Sequence, residues 1–168
     1  MNDLGFTLPA EVEDIRRRVR DFVDAHILPV EADRSTWDEH ENIGPEALAT
    51  LREKAKAAGL WTPQVPKALG GMGLPVAARA VMYEEANRSI FGPVVFNSAA
   101  PDDGNMMVLS TLGTDAQKRR WLAPIVTGEV RSAFAMTEPA PGGGSDPSMI
   151  RTRAERHGDR YVVTGRKW

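Results

Sequence analysis

The chain has 168 residues, 42% hydrophobic and 26% charged, with a formal net charge of −2. That balance is ordinary for a soluble globular protein and gives no electrostatic reason to expect nucleic acid or an anionic membrane as partner. Cysteine is absent, which excludes a disulfide frame, a thiol nucleophile and thiolate metal ligation. No apolar stretch reaches the ~20 residues a membrane span needs, and MNDLGFTLPAEVEDIRRR lacks a basic-then-apolar signal pattern. The default expectation is a cytoplasmic protein.

The first element is a helix from Pro9 to about Ile27, because Val12, Ile15, Val19, Phe22 and Val23 recur at helical spacing. Its arginines, Arg16, Arg17, Arg18 and Arg20, interleave with Glu13, Asp14, Asp21 and Asp24 and read as a solvated face. A second helix runs from about Pro45 to Ala58 and stops at Gly59; a third opens at Pro75 and runs to about Arg88. A fourth spans Asp103 to Leu112. The fifth starts at Thr114, where Gln117 three residues on completes a capping box, and ends at Gly128. After Gly128 the period changes to two. Ser132, Phe134 and Met136 are then expected on one face of a strand, with Ala133, Ala135 and Thr137 on the other. Two short strands follow near Ile150–Glu155 and Arg160–Gly165, joined by a tight turn at His157-Gly158-Asp159.

Several tempting motifs fail on spacing. His26, His40 and His157 share no metal-ligand pattern and read as surface or capping groups. Glu84 and Glu85 are neighbours on a helix, so they point to different faces and do not form an acid/base pair. Ala68-Leu69-Gly70-Gly71-Met72-Gly73-Leu74 follows no strand and lacks the Lys-Ser/Thr of a phosphate loop, so it reads as a plain helix connection.

The stretch AFAMTEPAPGGGSDP, Ala133 to Pro147, concentrates more chemistry. A flavin ring is a flat, largely apolar plate with a polar pyrimidine edge. Phe134, Met136 and Thr137 offer an apolar face and a hydroxyl in sequence. Pro139 and Pro141 stiffen the turn, while Gly142, Gly143 and Gly144 let backbone approach a ligand. The Ser145 hydroxyl and nearby N–H groups could meet pyrophosphate oxygens or a ligand carbonyl; Asp146 suits a local turn. The same residues equally suit a strand leaving into a flexible surface turn.

The chain resembles the acyl-CoA dehydrogenase family. Ala135-Met136-Thr137-Glu138-Pro139, then Gly144-Ser145-Asp146, is similar to the family's middle-domain signature. LGTDAQKRRWLAPIVTGE (Leu112 to Glu129) and VPKALGGMGLP (Val65 to Pro75) resemble its segments in the same order. FGPVVFNSAAPDDGNM (Phe91 to Met106) is similar to the branch with long-chain and unusual acyl substrates. The resemblance implies a mainly α fold: an N-terminal up-and-down helical domain over 1–128, then the first strands of an incomplete β-barrel-like domain over 129–168. It also implies FAD as cofactor and an acyl-CoA thioester as substrate. A glutamate base removes the α-proton while the flavin takes a hydride from the β-carbon. Phe134, Met136 and Thr137 match the flavin-facing strand, with Thr137 at the pyrimidine edge. Ser145 matches a position contacting cofactor pyrophosphate or the acyl-CoA, and the region from Asn97 to Met107 falls near the acyl-chain pocket.

Two departures qualify this. Six residues, PAPGGG, separate Glu138 from Ser145 where the usual signature has four. The sequence also ends at Trp168, one position short of a flavin-covering Trp, without the C-terminal helical bundle that carries the family's catalytic glutamate. This isolated chain is therefore expected to be inactive, with a complementing C-terminal chain or a homo-oligomer as partner. The alternatives are a non-catalytic interaction module, half of a split enzyme, or the same fold in a flavin-dependent oxygenase or nitroalkane oxidase.

Overall fold

The computed structural model describes residues 7–144 and 146–168. They fall into two compact units, one ending at Ser132 and one spanning Ala133–Trp168.

The first unit is helical. Its elements are α1 (Ala10–Phe22), a π-helical segment (Val23–Ile27), α2 (Leu28–Ala32), α3 (Pro45–Ala57), α4 (Val76–Ala86), α5 (Gly92–Val95), α6 (Asp102–Leu112), α7 (Asp115–Gln117), a second π-helical segment (Lys118–Leu122) and α8 (Ala123–Thr127). The expected helices are present, and α1 and α2 join through the first π segment into a run that continues past Ile27. The extension has a physical reason. Pro29 lacks an N–H and would crowd the carbonyl four residues back in a regular helix. The preceding turn is widened instead, with Leu28 N–H bonding Val23 C=O. Pro124 follows the second π segment in the same way, after Ala123 N–H bonds Lys118 C=O. The Thr114–Gln117 capping box closes with both of its reciprocal bonds.

α1 packs along α4, and the main core is built where they meet α3 and α5. Val19, Leu51, Met82, Val95 and Phe96 are buried there, and the rings of Phe22 and Phe96 meet at a 55° tilt with centroids 5.3 Å apart. Val65, Met106, Leu122, Ile125 and Val126 form a second cluster. Arg20 forks onto buried Glu85 at 2.6 and 2.9 Å, while Arg16 and Arg17 pair with Glu13 and Asp14 on their own helix face. Glu84 is exposed and Glu85 buried, as neighbours on a helix should be.

The second unit contains one antiparallel hairpin, β1 (Arg153–His157) and β2 (Arg160–Thr164), paired from Arg153 with Thr164 to His157 with Arg160. The turn is where the sequence puts it, with Gly158 at a positive φ of 65°. The expected strand over 132–137 is not formed among the described residues. Its backbone joins no ladder, and Met136 N–H turns back onto Phe134 C=O at 3.2 Å. Period-two side chains alone do not make a strand; a neighbouring backbone must accept the ladder. Both hairpin strands are exposed along their whole length, and the sheet remains open at its edges. No helix among the described residues is long and apolar enough to cross a membrane.

Phe96→Ala should remove about 3–5 kcal/mol of stability, because the cavity forms in a core with little room to collapse. Urea unfolding followed by far-ultraviolet circular dichroism checks this; a midpoint unchanged from the parent chain would show that Phe96 does not anchor the core.

Candidate functional site

The segment following Ser132 is positioned by one carboxylate. Glu138 is 5% exposed. Its oxygens accept bonds from Arg151 N–H at 2.7 Å, Thr152 N–H at 2.9 Å, the Thr152 hydroxyl at 2.5 Å and Lys167 Nζ at 2.9 Å. Lys167 also donates to Met136 C=O at 2.9 Å, and Trp168 N–H to Thr137 C=O at 3.0 Å. The hairpin and the chain after it are thus pinned to residues 136–138. The Thr152 hydroxyl, the Arg151 amide and the Lys167 ammonium together hold the Glu138 carboxyl at a pKa of about 2.

The loop beyond Glu138 is packed against this clasp. Glu138 N–H bonds Gly143 C=O at 2.8 Å. A Cβ on Gly142 would lie 2.6 Å from Glu138 Oε2, and one on Gly143 would lie 2.4 Å from Asp146 C=O. The space those two glycines leave is filled by the protein itself. A Cβ on Gly144 would meet nothing, so of the three it is the open position. Asp146 accepts from Ser148 N–H at 2.9 Å and Ser148 Oγ at 2.7 Å, a local turn as expected.

The sequence-predicted residues are distributed as follows. Phe134 is 69% exposed and Thr137 is exposed, while Met136 is half-buried. Ser145 lies outside the described residues. Glu138 was passed over as a site residue because its partners lie 13 to 29 positions further on. The available signal was its place between Thr137 and Pro139 in the signature.

In the helical unit, the region from Asn97 to Met107 is tightly engaged. Asn97 is buried; its side chain donates to Ile125 C=O at 2.9 Å and Thr62 Oγ1 at 3.2 Å, and its carbonyl accepts from Gln64 at 3.1 Å. Trp61 donates to Val126 C=O at 2.7 Å in the same knot. Asp102, also buried, accepts from Ser132 N–H at 2.6 Å and Ser132 Oγ at 2.7 Å and is paired with Arg131. Burial works to raise the Asp102 carboxyl, but the Ser132 and Arg131 bonds outweigh it and leave it below its ordinary value. The glycine-rich connection offers its amides to its own fold. Gly71, Met72, Gly73 and Leu74 N–H bond the carbonyls of Pro66, Thr62, Val65 and Pro63, which agrees with a structural rather than phosphate-binding reading. No group of metal-ligating side chains occurs among the described residues. His40 and His157 are exposed, and His26 stacks edge-on against Phe22.

Because Glu138 is held below its ordinary value of 4.5, its contribution to stability is present above about pH 4.5 and is lost as pH falls toward about 2. Glu138→Gln should abolish this acid dependence and speed amide exchange at Arg151 and Thr152. Hydrogen exchange followed by NMR across that pH window tests it; identical profiles for parent and variant would refute the clasp.

Comparison with known proteins places these features. The family described as acyl-CoA dehydrogenase, N-terminal domain, matches residues 9–129. The "Probable acyl-CoA dehydrogenase FadE2" of Mycobacterium tuberculosis is 37% identical, over 98% of this chain and 41% of its own length. A solved Mycobacterium abscessus structure assigned to the acyl-CoA dehydrogenases superposes with a TM-score of 0.86 at 39% identity, over 97% of this chain and 42% of that one. A Bacillus anthracis acyl-CoA dehydrogenase complexed with FAD gives a TM-score of 0.68 at 27% identity, over 97% of this chain and 27% of that one. The chain spans about two fifths of the length of the mycobacterial relatives. A mostly helical first unit, an open hairpin after it and a family match over 9–129 lead to one conclusion: the chain belongs to the acyl-CoA dehydrogenase family.

Proposed function

We propose that this chain supplies the helical domain and one flavin-facing wall of an FAD-dependent enzyme that dehydrogenates acyl-CoA thioesters between Cα and Cβ. The observation that carries the reading is the Glu138 clasp. It fixes the backbone of residues 136–138 while Phe134 and Thr137 stay exposed. An exposed aromatic ring and an exposed hydroxyl are poor choices for a core and suitable ones for a flat heteroaromatic plate with a polar edge. Phe134 and half-buried Met136 would lie against the ring, Thr137 would donate to its pyrimidine edge, and Gly144 leaves room for close approach. Ser145 is assigned to the pyrophosphate or acyl-CoA by its place in the signature alone. A bound flavin would supply the hydride acceptor.

The proton-abstracting base is a separate matter. The three buried carboxylates among the described residues are Glu85, Asp102 and Glu138, and each is ion-paired. A general base works best with a pKa near the operating pH, and Glu138, at about 2, is far too weak a base. None of them serves the α-carbon. On the family resemblance, the base is assigned to residues outside this sequence, in a longer polypeptide, a complementing chain or another subunit. This wall-without-base reading makes the isolated chain non-dehydrogenating.

Flavin fluorescence tests the reading. Added FAD should be quenched by the chain, and Phe134→Ala and Thr137→Val should each weaken the binding roughly threefold or more, the scale of one lost contact. Ferrocenium reduction with octanoyl-CoA should show no turnover. Quenching indifferent to both substitutions would remove the flavin wall, and turnover by the chain alone would remove the missing base.

A further inference from the structure

We infer that the cleft beside the 38–43 loop is a binding site for an apolar α-amino acid, a ligand class independent of the flavin and thioester of the reading above. The cleft has a volume of about 410 Å³ and is lined by that loop, by α3, by α5 with the residues before it, and by Arg131. Small-ligand sites have volumes of this order. Buried Ile43 and Phe91, with half-buried Leu48 and Val94, make an apolar floor. Exposed Ile90 and Glu41 line the cleft too, as does the half-exposed Arg131 side chain, so it opens to solvent.

Charges of opposite sign line this one cleft without pairing with each other. Asp38 and Glu41 come from the loop, and among the described residues neither makes an ion pair. Asp38 Oδ1 accepts from His40 N–H and Asn42 N–H, both at 2.9 Å, which fixes the loop. The second Asp38 oxygen and the Glu41 carboxylate accept no bond among the described residues. Arg131 comes from the last residues of the unit. It spends its Nε on Asp102, and its two Nη groups make no bond among the described residues.

A second arginine adds to the positive wall. Arg52 donates to Val94 C=O at 3.1 Å and to Gly128 C=O at 3.3 Å. Burial first, then the Arg131 charge, lower its guanidinium, while Asp102 pulls it back up. Two guanidiniums thus share one buried carboxylate, and the Arg131 wall carries surplus positive charge while the loop carries surplus negative charge.

A lone anion or a lone cation gains from one of these walls and loses to the other. A zwitterion gains from both. Its carboxylate takes the Nη fork of Arg131, its ammonium meets Asp38 and Glu41, and an aliphatic side chain covers the floor.

The test is calorimetry on the chain with leucine and three analogues that each lack one part of it. Leucinamide lacks the carboxylate, N-acetylleucine the ammonium and glycine the side chain. Leucine should bind, and each analogue should bind about tenfold more weakly or worse, the worth of one charge-assisted contact or of a covered aliphatic side chain. Glu41→Gln, on the exposed loop, should lower leucine affinity about threefold or more and leave N-acetylleucine unchanged. Arg131→Met should lower leucine affinity likewise and leave leucinamide unchanged. If loss of the Asp102 pair stops that variant folding, Glu41→Gln and the analogue series on the parent chain carry the comparison. Absence of leucine binding, equal binding of leucine and both charge-deleted analogues, or an affinity indifferent to Glu41→Gln overturns the site.

Discussion

A carboxylate taken out of water has to be repaid by donors at close range, and the second unit is organised around that requirement. None of its apolar side chains is buried among the described residues, yet Glu138 is. Four donors from residues 151, 152 and 167 surround it. Buried, hydrogen-bonded charge is directional where apolar contact is not. The clasp therefore fixes the register of residues 136–138 against the hairpin without enclosing the side chains on either side. An apolar anchor would have drawn Phe134 inward. A polar one lets Phe134 and Thr137 remain accessible.

The helical unit solves a different problem. It has a conventional apolar core, but its loops are tied by polar groups that have no water to turn to. Asn97, at a positive φ of 55°, gathers carbonyls and a hydroxyl from two stretches of chain, and Thr62, at 52°, stands beside it. Asp102 caps the helical unit at its last residues by holding Arg131 and Ser132. The last residues of this unit are therefore held at a fixed point.

Much of this was legible in the sequence, and the reasons differ by element. Apolar spacing marked α1, because burial against neighbours imposes a 3.6-residue period; Gly59 marked the end of α3 and Pro75 the start of α4. Thr114 and Gln117 announced their helix start because a capping box is local in sequence and in space. His157-Gly158-Asp159 did the same for the hairpin. Residues 132–137 misled because alternation is necessary for a strand and not sufficient. Gly142 and Gly143 were read as room for a ligand, whereas Glu138 and Asp146 occupy that room, and Glu138 itself could not be recognised without knowing that Lys167 returns to it. Long-range polar pairs leave no period. The short α5, Gly92–Val95, was missed for want of length.

The π turns before Pro29 and Pro124 carry an implication for how this fold tolerates change. Each is in effect a helix holding one residue more than regular winding needs. Removing a single residue from Val23–Ile27 would restore ordinary winding, but the proline would then strike the preceding turn. Deletions are thus barred at the very positions where an alignment of helix lengths would suggest slack, and the surplus residue acts as a spacer that keeps both prolines inside continuous rods.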